Sequence, residues 1–138
     1  MIDSVKTYLE FEAANAVITP EAFRKYLNGN NVCLDEYDDR LFRFYSWGNV
    51  KNVKDRLSNQ KGIPNCTNIV STMQEHDNCY VFADYMFSMF FYGIILKKDS
   101  EQYGKVYIIS GDEFKLLADS FEDFIELHTQ DSLLLQFG

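Results

Sequence analysis

Short apolar runs alternate with polar turns through the second half of the chain, and this pattern constrains the fold more than any other feature of the sequence. The runs are rich in β-branched and aromatic residues, which favours strands. In chain order they read NIVSTM, CYVFADYMF, FFYGIIL and KVYIIS, and the polar turn KKDSEQYG separates the last two. Strands joined by short connections pair as antiparallel hairpins. The pattern therefore predicts a largely antiparallel sheet.

The longest apolar stretch of the sequence runs from Tyr85 to Leu96, and its length decides whether it could span a membrane. A helix that crosses a bilayer needs about 20 apolar residues. This stretch is shorter, and Ser88 and Gly93 interrupt it. We therefore expect buried strand here, and no membrane partner.

Helix signals precede the predicted sheet. The segment TPEAFRKYL predicts a helix in which Thr19 caps the start and Pro20 takes the first helical position. The apolar residues that share one face of this helix are Phe23, Tyr26 and Leu27. Upstream, the spacing of Tyr8 and Phe11 indicates a shorter first helix.

The middle of the chain is more mixed. The segment DEYDDRLFRFYSW opens acidic and becomes apolar and aromatic at Leu41, Phe42, Phe44 and Tyr45, which predicts a strand that leaves an exposed turn. A helix from about Asn49 to Asn59 is expected to follow. The residues from Asn59 to Asn68 are dense in Asn, Gly and Pro, and they predict the longest loop.

The last element predicted is a helix with the sequence SFEDFIELHTQD. Ser120 can cap it by accepting a hydrogen bond from the amide near Asp123. Its apolar stripe comprises Phe121, Phe124, Ile125 and His128. Helices at both ends with hairpins between them predict an α+β fold. A chain of 138 residues, 46% of them hydrophobic, is long enough for one core, and we expect a single domain over residues 1–138.

The charge of the chain limits its partners. The formal net charge is -8, and it is uneven, because residues 61–138 carry 12 acids and 5 bases whereas residues 1–60 are nearly balanced. An acidic surface repels a phosphate backbone. The composition therefore disfavours nucleic acid as a partner.

The cysteines and histidines do not form a recognisable catalytic or metal-binding pattern. Cys33, Cys66 and Cys79 form an odd set without a CxxC pair, and the N-terminus has acids where a signal peptide needs a basic start, so we expect a reducing cytoplasm. A zinc site from Cys66, His76 and Cys79 would lack the usual close spacing and a fourth ligand. His76 is expected to be a solvated loop residue and His128 a partly buried helix residue. We expect no metal and no catalytic residue.

The glycines are equally uninformative about chemistry. They never approach the spacing of a phosphate-cradling loop. We therefore expect no nucleotide and no other cofactor.

Acidic residues cluster in two places. The DEYDD turn comprises Asp35, Glu36, Tyr37, Asp38 and Asp39, and residues 112–131 carry seven acids and one base. A third acid, Asp84, lies alone inside the apolar segment VFADYMF, where a carboxylate must hydrogen-bond or face water. It is either a strand-end acid that accepts from backbone amides or a residue that contacts a partner.

The segment from Val81 to Asp131 resembles the C-terminal half of the SUKH superfamily, the Smi/Knr-type proteins. The points of likeness are FADY, YGI, KVY and above all LADSFEDFIEL, which runs from a strand end into a closing helix. The N-terminal segment TPEAFRKYL with NGN is similar to the Pro-containing helix of that family. The resemblance implies a single α+β domain with a central, largely antiparallel sheet flanked by helices, and it implies no catalytic residues.

The resemblance also implies a function. Bacterial members of the superfamily typically bind and neutralise a cognate polymorphic toxin, often a nuclease, as immunity proteins, whereas eukaryotic members regulate cell-wall synthesis and signalling. An acidic protein can occupy the basic cleft of a nuclease as a charge mimic. The candidate partner-binding residues are Asp35, Glu36, Tyr37 as an aromatic anchor, Asp38, Asp39 and Asp84, and the terminal acidic region is a second candidate surface.

Two other functions remain open at this point. The first is an intracellular regulator or scaffold of the same fold with a partner that is not a toxin. The second is a small hydrolase, which would require His76 or His128 to converge with carboxylates in a concave pocket.

Overall fold

The computed structural model describes residues 7–28, 34–57, 69–74, 76–87, 89–111 and 113–130. Their elements combine helices at both ends with a central sheet, as the sequence predicts. In chain order they are α1 (Tyr8–Asn15), α2 (Glu21–Asn28), β1 (Phe42–Phe44), a 3-10 turn (Trp47–Asn49), β2 (Lys51–Asn52), α3 (Val53–Leu57), α4 (Ile69–Thr72), β3 (Cys79–Tyr85), β4 (Phe90–Ile95), β5 (Val106–Ser110), β6 (Glu113–Ala118) and α5 (Phe121–Thr129).

The sheet is antiparallel throughout its named strands. Its order is β1-β3-β4-β5-β6, and β2 pairs with β3 beyond the end of β1. The strands from β3 to β6 are consecutive in the chain and form a meander of three hairpins. This architecture confirms the prediction of an α+β fold, a single domain with a largely antiparallel sheet flanked by helices.

One predicted strand is wrong. Within the segment NIVSTM, Ile69–Thr72 form the helix α4, and the amide of the next residue, Met73, donates to the carbonyl of Ile69 at 2.9 Å. Ile69 and Met73 are buried, whereas Ser71 between them is exposed. A strand would place all three residues on one face. The burial spacing is therefore helical, and it overrides the β propensity of isoleucine and valine.

The helix predicted from Asn49 to Asn59 is shorter than expected. Residues 51 and 52 pair with β3, and the helix α3 begins only at Val53. The side chain of Asn52 accepts a hydrogen bond from the amide of Asp55 at 2.8 Å, which is the geometry of a helix N-cap. The predicted loop that follows lies outside the described residues.

The connection between α1 and α2 differs from the prediction that Thr19 caps the second helix. The helix α2 begins at Glu21, and Thr19, which was expected to cap it, donates its hydroxyl to the carboxylate of Glu12 at 2.6 Å. The amide of Thr19 donates to the same carboxylate at 2.8 Å. These bonds tie the connection between the two helices to α1. At the other end of the chain, Ser120 caps α5 through the amide of Asp123 as predicted.

A layer of phenylalanine rings joins the helices to the sheet. The ring of Phe82 on β3 lies 5.6 Å from Phe23 of α2 and 5.2 Å from Phe124 of α5, measured between ring centroids. Trp47 packs edge-on against Phe23 at 5.4 Å. Edge-to-face ring pairs of this kind add stability beyond the area that they bury. Most of the aromatic excess of the sequence is therefore used in one core.

A bulge in β3 decides which residues face that core. The register between β3 and β4 shifts between Val81 and Ala83, so Phe82 is the extra residue. In a regular strand Phe82 and Asp84 would share a face. Because the bulge inverts the alternation, Phe82 packs against the helices, while Asp84 lies on the opposite face beside Arg43, its register partner on β1.

Candidate functional site

The DEYDD turn and the connection between β3 and β4 meet at one corner of the molecule. The amide of Met86 donates to the carbonyl of Leu41 at 3.0 Å, just beyond the end of the DEYDD turn. The rings of Tyr37 and Phe87 pack edge-to-face with their centroids 4.9 Å apart. The structure thus brings one predicted site residue, Tyr37, against a residue that the sequence reasoning did not single out.

Asp84 lies beneath this corner and is wholly buried. Its carboxylate accepts hydrogen bonds from the hydroxyl of Tyr37 at 2.5 Å, from Nε of Arg43 at 2.8 Å and from the hydroxyl of Tyr45 at 3.1 Å. Donors on side chains therefore satisfy a carboxylate that was expected to use backbone amides or to contact a partner. Asp84 has no exposed surface with which it could contact a partner directly.

Arg43 is held between aromatic rings. Its guanidinium carbon lies 4.3 Å from the ring centroid of Tyr37 and 5.6 Å from that of Tyr45. Burial acts to lower the pKa of Arg43, but the hydrogen bond and the charge of Asp84 outweigh it and hold the pKa above its usual value. The charge of Arg43 is therefore offset within the corner.

Tyr45 connects the corner to α3. The guanidinium carbon of Arg56, a residue of α3, lies 4.6 Å from the ring centroid of Tyr45. Burial and then the charge of Asp84 raise the pKa of Tyr45 well above its usual value, so the phenol stays protonated. A polar cavity of about 220 Å³ lies here, lined by Arg43, Tyr45 and Arg56 together with Asp35 and Asn49.

Two acids of the DEYDD turn shape the backbone. Asp35 accepts from the amide of Ser46 and from the side chain of Asn49, both at 3.0 Å. Burial acts to raise the pKa of Asp35, but these hydrogen bonds and the charge of Arg43 hold the pKa below its usual value. Asp38 accepts from two backbone amides, those of residues 40 and 42. Sequence reasoning treated both acids only as surface charge.

The remaining acids of the turn lie at the protein surface. Glu36 and Asp39 are exposed. Arg40, which follows Asp39 in the chain, donates to the carbonyl of His128 at 3.1 Å, near the end of α5. A cation placed there complements the helix dipole. The acidic character of the turn is therefore retained at its surface.

The connection between β3 and β4 is an exposed apolar turn, and the prediction of buried strand between Tyr85 and Leu96 is wrong for Met86, Phe87 and Met89, which lie between the two strands. The hairpin tip comprises Met86, Phe87 and Met89, and the side chain of Phe87 is 65% exposed. Six large apolar side chains are exposed among the described residues, and three of them belong to this tip. The sequence YMFSMFF contains no glycine, proline or asparagine, so its turn signal was limited to Ser88.

The second acidic surface predicted from the sequence lies on β6 and α5. Its described acids are all exposed, and they are Glu113, Asp119, Glu122, Asp123 and Glu126. Asp112 and Asp131 lie outside the described residues. A shallow cavity of about 310 Å³ is lined by three of these acids and by Leu117 and Leu127. This surface has charge, but no exposed aromatic anchor is described within it.

Neither histidine forms the convergence that a hydrolase requires. His128 is buried on α5, where the ring of Phe42 packs edge-on against it at 4.5 Å, and His76 is part-exposed beside its neighbour Asp77. The cavities described above are lined by neither of them. Cys79 is a buried free cysteine, whereas Cys33 and Cys66 lie outside the described residues.

The described residues were also compared with the requirements of a metal site and of a membrane span. Within the described residues, no group of three or more His, Cys, Asp or Glu side chains is arranged to hold a metal ion. None of the described helices has the length and apolar character that crossing a membrane requires.

Comparison with known proteins gave one match. The model of the SMI1/KNR4 family (SUKH-1) matches residues 6–127, which is most of the chain. Searches against curated proteins and against solved structures returned no match. The matched range includes the DEYDD turn, the hairpin tip and Asp84.

Proposed function

The chain belongs to the SMI1/KNR4 family (SUKH-1), and we propose that it is an immunity protein that binds and neutralises a cognate bacterial toxin in the cytoplasm. The family is known for immunity proteins, which are generally not enzymes and act by binding other proteins. Beyond these family properties, we propose that the partner is a toxin and that one defined surface of the chain binds it. A nuclease toxin suits an acidic chain best, because a cleft that binds a polyanion is commonly basic.

The observation that carries the proposal is the corner formed by the DEYDD turn and the hairpin tip. It combines exposed carboxylates with exposed apolar side chains, and buried hydrogen bonds hold it in shape. Protein interfaces are typically built from aromatic and methionine side chains at the centre and polar groups at the rim. Charge on the rim accelerates association with an oppositely charged partner.

The test begins with co-expression. The protein is produced together with the toxin domain encoded beside its gene, and growth and co-purification are measured. Rescue of growth with a stable complex is the expected result. If the two proteins never associate, the immunity proposal is wrong, and a regulator with another partner becomes the alternative.

Charge reversal then locates the surface. The double variant Glu36→Lys with Asp39→Lys changes exposed carboxylates of the turn and leaves Asp35 and Asp38, which hold the backbone, intact. We expect it to weaken the complex at least about tenfold and to reduce its dependence on salt. The matched control, Glu122→Lys with Glu126→Lys, makes the same charge change on the exposed side of α5.

The two variants separate the candidate surfaces. Loss of affinity in the control alone would place the interface on the terminal acidic surface. Equal loss in both would indicate a general charge effect rather than a defined face. Either result overturns the DEYDD turn as the interface.

A further inference from the structure

We propose that the hairpin tip is a preformed apolar anchor that inserts into an apolar pocket of the protein partner, and that basic side chains surround this pocket. The inference rests on the proposed function and specifies the partner surface that it requires. The exposure of the tip, its backbone conformation and the charge of the adjacent turn support this inference.

The exposure of the tip is unusual for this chain. Phe87 is 65% exposed and the two methionines are each 38% exposed, although the same sequence buries most of its other rings. Contact between apolar side chains and water is unfavourable in free energy. A partner that covers methionine and phenylalanine side chains removes this contact. Single exposed apolar residues are common, but three within one short turn form a patch.

The backbone of the tip is held in a conformation that these residues disfavour. Met86 and Phe87 have φ angles of 55° and 56°, in the left-handed region. Four of the five non-glycine residues with positive φ among the described residues lie at this corner, namely Asp35, Leu41, Met86 and Phe87. Bulky residues adopt such angles only where the surrounding structure enforces them, and they cluster at binding and catalytic sites.

Contacts from the DEYDD side enforce this conformation. The hydrogen bond from Met86 to Leu41 and the ring contact of Phe87 with Tyr37 connect the two segments. Tyr37 is in turn fixed by its hydrogen bond to the buried Asp84 and by the guanidinium of Arg43. The anchor is therefore ordered before a partner arrives, which lowers the entropy lost on binding.

Charge selects the kind of partner. Glu36 and Asp39 are exposed on the adjacent turn, and Arg40 and Arg43 of the same corner donate to His128 and Asp84. The rim of the tip is therefore acidic. Such a rim repels an anionic membrane, and it also repels the same rim on a second copy of a chain whose net charge is -8. A protein pocket with Lys or Arg side chains around it matches both the apolar centre and the rim.

The experiment selects peptides from a random library displayed on phage, with the full chain as bait. We expect the selected peptides to combine an apolar residue with flanking Lys or Arg. Each is then measured against Phe87→Asn, which removes the ring but tolerates positive φ. Binding should fall at least about tenfold, as for an interface hot spot. Phe87→Trp keeps an aromatic ring and should retain binding.

A matched control uses a second exposed apolar residue. Leu9 on α1 is 63% exposed, close to Phe87 in exposure but outside the corner, and Leu9→Gln should bind the selected peptides as the unmodified chain does. Equal loss in both variants would mean that exposed apolar surface in general binds the peptides. Selection of acidic peptides, or of none, would also overturn the proposal.

Two further measurements test whether the tip binds a membrane or a second copy of the chain instead of a protein pocket. Binding to phosphatidylcholine vesicles that contain phosphatidylglycerol, lost in Phe87→Asn, would assign the tip to a membrane. Self-association in sedimentation that Phe87→Asn abolishes would assign it to a second copy. Either result overturns the proposal. The peptide selection does not involve the toxin, so failure of growth rescue with intact selection would overturn the proposed function but not the nature of the anchor.

Discussion

Phe82 and Phe87 belong to the same hairpin, yet they lie in opposite environments. Phe82 is wholly buried and contacts rings from two helices, whereas Phe87 is 65% exposed and has a positive φ. The first region, the phenylalanine layer, gains free energy from the burial of its rings. The second, the corner at the hairpin tip, keeps apolar surface in water on a disfavoured backbone.

The difference shows that aromatic content has two separate uses in this chain. In the core, rings join helices to strands. At the corner, the ion pair between the part-exposed Arg43 and the buried Asp84, together with the ring of Tyr37, supports an exposed apolar turn. Conformations of this kind lower stability and persist at sites selected for function. The predictions below test whether the two regions are separable.

The largest effect is expected in the core. Phe124→Ala removes a buried ring that contacts Phe82 and Tyr92, and it should lower the free energy of unfolding by about 3 to 5 kcal/mol. Phe87→Ala should change it by less than about 0.5 kcal/mol, as at an exposed position. Urea unfolding followed by circular dichroism measures both. A comparable loss in Phe87→Ala would show that the tip belongs to the core.

The next effect concerns the support of the corner. Asp84→Ala leaves Arg43 without its buried partner and should lower the free energy of unfolding by about 2 to 3 kcal/mol. The milder variant Tyr37→Phe removes only one hydrogen bond to Asp84, and a loss of about 1 kcal/mol is expected. Thermal and urea unfolding of both variants provide the check. An unchanged stability in Asp84→Ala would contradict the supporting role of the ion pair.

A gain in stability is expected at the tip itself. Phe87→Asn relieves the positive φ, because asparagine tolerates the left-handed region, and it should raise the free energy of unfolding by about 0.5 to 1 kcal/mol. The same variant is expected to lose peptide binding. If Phe87→Asn raises the free energy of unfolding and weakens peptide binding, the hairpin tip differs from the phenylalanine layer, where loss of a ring lowers stability. A loss of stability would show that the ring contact with Tyr37 outweighs the strain.

The smallest effect is a pH dependence from Asp35. Its pKa is lower in the folded protein than its usual value, so its ionised form stabilises the fold above a pH of about 4, and this contribution is lost as the pH falls through the folded pKa. Because the side chain is partly exposed, the contribution should stay below about 1 kcal/mol. The difference in urea midpoint between the unmodified chain and Asp35→Asn should therefore shrink between pH 7 and pH 3, and a constant difference would contradict this origin.

The sequence predicted those elements whose signals are local. The cap at Ser120, the strands β4 and β5 and the turn between them follow from residue types that stand next to one another. The α4 helix was missed because its apolar residues have high strand propensity, and only their burial on one helical face decides the outcome.

The corner was predicted only in part, for a physical reason. The position of Asp84 depends on the bulge at Phe82, and the bulge depends on pairing with β4. The turn at Met86 and Phe87 depends on contacts with residues that are more than 40 positions earlier in the chain. The sequence pattern identified Tyr37 and Asp84 as candidates, but it could not show that they touch.

The order of the strands has a consequence for how the protein assembles. The strands β3 to β6 pair with their nearest neighbours in the chain, and such local contacts close quickly during folding. The bonds from Arg43 and Tyr37 to Asp84 span 41 and 47 residues, so their loops close at a larger loss of chain entropy. We expect the meander to form first and the corner last. Under native conditions the corner should also be the first of the two to open, and its amide hydrogens should exchange before those of β4.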